Sequence, residues 1–275
     1  RIDKIHQPLA DEIRMSIRGL GSGAKKIIIS ANSAHPRIHL TESSRENPMA
    51  APLFCMVMRK HIAGGKIIDI VQPNFERIII LRIESANEMG DITTKNLILE
   101  IMGKHSNIIL CDDNNTILDS IKHISAQTSS VREVLPGRPY FIPNTSDKIN
   151  PLEADRKHFD ETVFTKPVPV VKALLSSYTG ISTCIAEELA YRAGVDGGHP
   201  ANCLDEPMKD ALYNVFDALM SDVRNGIYHP DMVTDNGVPA EFAAVKLSMY
   251  DNHTEYDSIS RLIIDYYRQK EIATR

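Results

Sequence analysis

Along the first half of the chain, apolar side chains recur at every second position. Ile13, Met15 and Ile17 alternate with Arg14 and Ser16, a period of two that predicts a strand with one buried and one wet face. β-Branched runs over 26–30, 66–71, 76–84, 96–102, 107–111 and 116–121 predict further strands, because branched side chains suit a pleated, half-buried surface. Breaks fall at 21–23, at Pro73-Asn74, over 87–91 and at Asn114-Asn115. Many short strands with close turns imply an antiparallel sandwich or barrel. One helix interrupts them over 52–61 and stops at Gly64-Gly65.

The stretch Pro136-Gly137-Arg138-Pro139-Tyr140, continuing through Pro143 and Pro151, is rich in proline. Proline fixes φ and removes a backbone donor, so the stretch predicts an extended connection between two domains. Beyond it the period changes. Leu212, Val215, Phe216, Leu219, Met220 and Val223 recur at helical spacing, preceded by Asp205 and Pro207 and followed by Gly226 and Pro230, a full set of start and stop signals. Asp257 opens a last amphipathic stretch with Ile259, Leu262, Ile263 and Tyr266 on one face. The expected division is a β-rich domain over 1–150, a helical domain over 151–255, and over 256–275 the start of a longer helix or coiled coil that continues past Arg275. The chain opens on Arg1 with no initiating Met, and a preceding stretch is expected.

Composition changes this picture little. With glycine added to the 43% hydrophobic share, the apolar fraction is about 48%, ordinary for a folded protein. At 275 residues, and at roughly 150 residues per domain, two domains are expected. No apolar run approaches the roughly 18 residues of a membrane span, so no membrane partner is expected. Cys55, Cys111, Cys184 and Cys203 form no zinc-spaced pair; Cys55 and Cys184 lie in apolar, helix-like surroundings, and buried free thiols in a reducing cytoplasm are the expectation. Net charge is −5 with a pI near 6.1, which excludes indiscriminate coating of nucleic acid. Any RNA contact must be local.

Candidate chemistry is sparse. The ten histidines form no HExxH, and neither a nucleophile elbow nor a phosphate loop is present, so neither enzyme nor cofactor is indicated. The stretch from Ala173 through Tyr178, Gly180 and Ser182 to Leu189 and Gly194 reads as two short helices joined by a tight hairpin, with backbone N–H groups available to a phosphate. It reads equally as an ordinary turn with Gly180 ending one helix and Ser182 capping the next. Gly103-Lys104-His105-Ser106 breaks a strand and presents a cation and an imidazole together; spacing alone favours a bulge with solvated flanks. Arg59-Lys60-His61 reads as a solvated helix end.

Several longer strings carry a family resemblance. Arg1-Ile2-Asp3-Lys4-Ile5-His6-Gln7-Pro8, Ser30-Ala31-Asn32-Ser33 with Pro36-Arg37-Ile38-His39, Glu46-Asn47-Pro48, Phe54-Cys55-Met56 with Arg59-Lys60-His61, Glu100-Ile101-Met102-Gly103-Lys104-His105-Ser106-Asn107 and Arg132-Glu133-Val134-Leu135-Pro136-Gly137 resemble, in order, the fibronectin-binding-protein-A-like family, also called NFACT. The match runs on through Glu241-Phe242 and Tyr266-Tyr267. The resemblance implies an α+β chain: a glycosylase-like antiparallel β-sandwich followed by a helix-hairpin-helix domain. It implies a cytoplasmic, non-catalytic factor of ribosome quality control. Its partners would be an obstructed large ribosomal subunit with its rRNA, a stalled peptidyl-tRNA, and tRNA, alanyl-tRNA in bacteria, recruited for template-free C-terminal tailing.

The family's Asp-Arg pair for tRNA engagement falls on Glu76 and Arg77, with the acid one methylene longer. Further RNA-binding candidates are Lys104, His105, Arg132, Gly180 and Ser182. Two other readings accompany the resemblance. One is a surface adhesin for fibronectin or fibrinogen, suggested by the family's historical name. The other is a DNA glycosylase-like repair enzyme, for which the N-terminal proline and its acid are missing.

Overall fold

The computed structural model describes residues 1–21, 23–144 and 146–273, and they divide into two compact units, Arg1–Pro73 with Arg77–Thr145 and Asn74–Glu76 with Ser146–Arg275. The chain is α+β with antiparallel sheets. The turn expected over 21–23 includes Ser22, outside the described residues.

The first unit holds two sheets. Strands β1 (Ile2–Leu9), β2 (Glu12–Arg18), β3 (Ala24–Ser30) and β4 (Arg37–Thr41) form one, in that order. After helix α1 (Leu53–Ile62), strands β5 (Lys66–Val71), β6 (Ile78–Ala86), β7 (Ile92–Glu100), β8 (Asn107–Cys111) and β9 (Ile117–Ser120) form the other, again in chain order. Alternation decides what is buried. Ile13 and Met15 of β2, Leu97 and Leu99 of β7, and Phe54, Met58 and Ile62 of α1 enter one shared core. Ile98 and Ile109 face the other way, into a second core with Val134 and Tyr140.

That second core corrects the expected linker. Gly137 N donates to Ile117 O at 2.8 Å and Tyr140 N to Asn115 O at 2.7 Å, so the proline-rich stretch as far as Tyr140 is part of the first unit. It covers a sheet face whose Ile side chains would otherwise meet water. Burial pushes the Cys111 thiol up to about 12, so it stays protonated and inert at neutral pH.

The second unit is built on helices α2 (Arg156–His158, continued by a π-turn over Phe159–Val163), α3 (Val170–Ser177), α4 (Thr183–Ala193), α5 (Glu206–Arg224) and α6 (Ile259–Ala273). Asp205 caps α5 as its sequence signals require, accepting from Met208 N at 2.9 Å. Phe159, Tyr178 and Phe216 form its centre, with ring centroids 4.7 to 5.4 Å apart. The wholly helical reading of 151–255 is corrected by a three-stranded sheet, β10 (Asp231–Asp235), β11 (Val238–Ala243) and β12 (His253–Glu255), ordered β11-β10-β12. Met232 of β10 packs with Leu262, Ile263 and Tyr266 of α6, the apolar face that the spacing after Asp257 marks out.

The loop before β12 is held by a fully buried carboxylate. Glu188 of α4 accepts from Ser248 N at 2.7 Å, Met249 N at 3.0 Å, the Ser248 hydroxyl and Arg192 Nε at 3.0 Å. Glu188→Ala strips four donors of their acceptor, and the expected loss is about 3 kcal/mol. Urea unfolding followed by far-ultraviolet circular dichroism checks it; a loss below about 1 kcal/mol would show that the loop is held by other contacts.

Candidate nucleic-acid interface

One end of the five-stranded sheet collects the charged positions picked out by sequence. β6 begins at Ile78, later than the run from 76 implies, so Glu76 and Arg77 precede the strand. Asn74 and Phe75, just upstream, take left-handed φ values of 50° and 60°, each costing an L residue roughly 1 kcal/mol or more. Arg77 O then accepts Ile101 N at 2.8 Å, extending the Ile78 to Glu100 register. Arg77 is thereby locked beside the turn that follows β7.

That turn is a single 3-10 turn, Gly103–His105. Gly103 has φ +55°, a conformation that glycine adopts without steric cost. His105 N donates to Met102 O and Ser106 N to Gly103 O, both at 3.0 Å, while the buried Ser106 hydroxyl accepts Met102 N at 2.9 Å. The backbone is closed on itself and the side chains of Lys104 and His105 are left exposed. Among the described residues, the side chains of Arg77, Lys104 and His105 have no hydrogen bond or ion pair. Arg77 ahead of β6 and Lys104 and His105 after β7 therefore lie at the same end of the sheet, available to an anion at no cost of breaking an internal pair.

Asn107, 2% exposed, fastens the neighbouring strands. Its Oδ1 accepts Ile108 N at 2.9 Å and Lys122 N at 3.1 Å, and its Nδ2 donates to Lys122 O at 2.9 Å. Lys122 Nζ reaches Ala31 O at 2.6 Å, while Asn32 donates to Asp11 at 3.0 Å and accepts from Ala34 N and His35 N. The strings around Ser30 and around Gly103, far apart in sequence, are thus joined through Lys122. Sequence reasoning missed Lys122 and its neighbour His123, whose Nε2 lies 2.7 Å from Asp119 Oδ1; two adjacent basic residues after a strand were the only signal.

The other candidates are placed differently. Arg132 is largely buried: it pairs with Glu100, donates to Phe141 O at 2.7 Å and stacks on the Tyr140 ring, whose hydroxyl also donates to Glu100 at 3.0 Å. Burial, with the Glu100 charge behind it, pushes the Tyr140 phenol far above its ordinary range. The Arg132 guanidinium is occupied by this network and is not presented with Arg77. Glu76 is half-buried and groups with the second unit, Arg77 with the first.

In the second unit Gly180 takes φ +76°, and a Cβ there would run into the Phe75 carbonyl oxygen and ring. The Ser182 hydroxyl accepts Ile185 N at 3.2 Å as the α4 cap, so its oxygen already has a backbone partner. α3 closes at Tyr178, before Gly180. Among the described residues no group of three His, Cys, Asp or Glu side chains could hold a metal, and no helix is long and apolar enough to cross a membrane.

The sequence matches the family described as NFACT N-terminal and middle domains over residues 1–275. A curated relative named Rqc2 homolog RqcH, from Bacillus subtilis, is 37% identical over 268 residues, covering 97% of this chain and 45% of the relative. The chain thus spans less than half the length of that relative. Among solved structures, the fibrinogen binding protein from Staphylococcus aureus aligns with TM-score 0.80 and 29% identity, covering 97% of this chain and 91% of that one. The N-terminal part of the fibronectin/fibrinogen-binding protein from Streptococcus suis aligns with TM-score 0.79 and 31% identity, covering 98% and 91%.

The two arginines should respond oppositely to truncation. Arg132→Ala leaves the buried Glu100 carboxylate without its charge partner, and about 3 kcal/mol of stability should be lost. Arg77→Ala removes an exposed side chain with no partner and should stay within about 0.5 kcal/mol of the parent. Parallel urea titrations test both, and a stability loss at Arg77 matching that at Arg132 would contradict the assignment.

Proposed function

The chain belongs to the family of NFACT N-terminal and middle domains, and on that premise we propose that it acts in ribosome quality control as a non-catalytic module that positions tRNA. In this reading the full-length protein works in the cytoplasm. It binds a large ribosomal subunit obstructed by peptidyl-tRNA and brings tRNA, alanyl-tRNA in bacteria, for template-free C-terminal tailing, while the ribosome makes the peptide bonds. The finer fold reading, a glycosylase-like sandwich with a helix-hairpin-helix at Gly180 and Ser182, belongs to the same proposal.

The observation that carries it is the set of partnerless side chains at one sheet end, Arg77, Lys104 and His105. A guanidinium and an ammonium on a fixed backbone suit phosphate, and an exposed imidazole can add a hydrogen bond or a stacking face for a base. With a net charge of −5, RNA affinity would have to come from such a local cluster. The relatives named RqcH support the pathway. The fibrinogen-binding names of the structural neighbours support the adhesin reading only by name, without a surface of this chain that argues for it.

RNA sequencing of material co-purified with the full-length protein from its own cells is the test, with Arg77→Ala alongside. A narrow set of tRNAs together with large-subunit RNA is expected. The variant should lose about tenfold of the tRNA, the scale of one charge-assisted contact, and keep the ribosomal RNA. Identical background RNA from both proteins would defeat the tRNA reading.

A further inference from the structure

The sheet end holds one side chain that the proposal above leaves unused. His123 follows β9, and its Nε2 lies 2.7 Å from Asp119 Oδ1. The Asp119 side chain is 5% exposed, and its Oδ1 also accepts Ser120 N at 2.8 Å, which holds the carboxylate toward the ring. An ionised carboxylate only accepts hydrogen bonds. Nε2 must therefore carry the hydrogen, and in the neutral ring Nδ1 is left as a lone-pair acceptor.

The His123 side chain is 50% exposed, and Nδ1 has no partner among the described residues. The Asn107 carboxamide grips both backbone atoms of Lys122, the preceding residue. The result is an oriented acceptor on a fixed backbone, at the sheet end where Arg77 and Lys104 can only donate and the exposed His105 ring has no partner to set its tautomer.

A phosphate offers acceptors alone and has nothing to give a neutral Nδ1. Beside each phosphate of RNA stands a hydroxyl that can donate, the ribose 2′-OH, and DNA lacks it. We propose that His123, held in one tautomer by Asp119, accepts a hydrogen bond from a ribose 2′-hydroxyl and lets this end of the sheet prefer RNA over its 2′-blocked or deoxy counterpart. The inference rests on the tRNA reading above and assigns the chemical group that it recognises.

The test uses full-length protein and a synthetic stem-loop of alanine tRNA in ribose, 2′-O-methyl and deoxyribose versions. Wild type should bind the ribose version about fivefold tighter than the 2′-O-methyl version, the scale of one net hydrogen bond. His123→Phe keeps a planar ring without nitrogen and should bring the ratio close to one. His123→Gln can still donate to Asp119 and accept from a hydroxyl, and should retain most of the preference. Matching unfolding midpoints establish that all three proteins are folded. A ribose preference in His123→Phe equal to that of wild type overturns the role of His123 while leaving the tRNA reading intact. No binding of any stem-loop by wild type overturns both.

Discussion

The buried carboxamide of Asn107 is the constraint on which the sheet end depends. One Oδ1 receives two backbone donors and one Nδ2 satisfies a carbonyl, which pins the start of β8 to the residues that follow β9. That grip adds a side-chain clamp beside the Gly103–His105 turn, whose two sides are joined by the Glu100 to Asn107 register and by the Ser106 hydroxyl. Without it Lys122 would lose the backbone placement that lets its ammonium reach Ala31 O. A short polar side chain can do this because burial makes an unmet amide costly, so the paired state is strongly preferred over any partial opening.

The same logic recurs in both units, with carboxylates in place of the amide. Glu100, Glu188 and Asp231 are all essentially inaccessible, and each is surrounded by donors from distant segments. Glu100 is met by Arg132 and Tyr140, Glu188 by Arg192 and the 248–249 backbone, and Asp231 by Leu247 N and His253. An isolated charge at these positions would be intolerable. The irregular segments over 124–140 and 244–253 are therefore held to the regular elements by polar contacts as well as by apolar burial. At the candidate interface this pattern lapses: among the described residues, Arg77 and Lys104 have no internal acid.

Regular elements were legible where the hydrophobic period ran undisturbed. Ile13, Met15 and Ile17 marked β2, and the spacing from Leu212 to Val223 with Asp205 ahead of it marked α5. β1 escaped because the bulge between Ile2 and Lys4 breaks its alternation. β4 escaped because its inward positions include His39 and Thr41, and β10 because a five-residue strand that opens on a buried Asp reads as a loop. The site was legible as residue types and not as a place. Arg77 meets the Gly103–His105 turn only through the Ile78 to Glu100 register, and the Arg132 guanidinium is engaged by an acid 32 positions away in sequence. A linear reading contains neither relation.

On the proposed reading an acidic chain engages RNA, which poses an electrostatic problem that the geometry of the sheet end bears on. These 275 residues carry a net charge of −5, so any attraction they offer a polyanion is local, and it is screened beyond a Debye length of roughly 8 Å at physiological salt. Within that range the energy depends on placing few charges well. A flexible loop carrying Arg77, Lys104 and His105 would lose part of each contact to ordering entropy. Here the backbone share of that entropy has already been lost on folding, through the positive φ of Gly103, the Ser106 hydroxyl and the Asn107 carboxamide. Rigidity of the backbone is thus what allows a small cationic cluster to stand in for a basic surface.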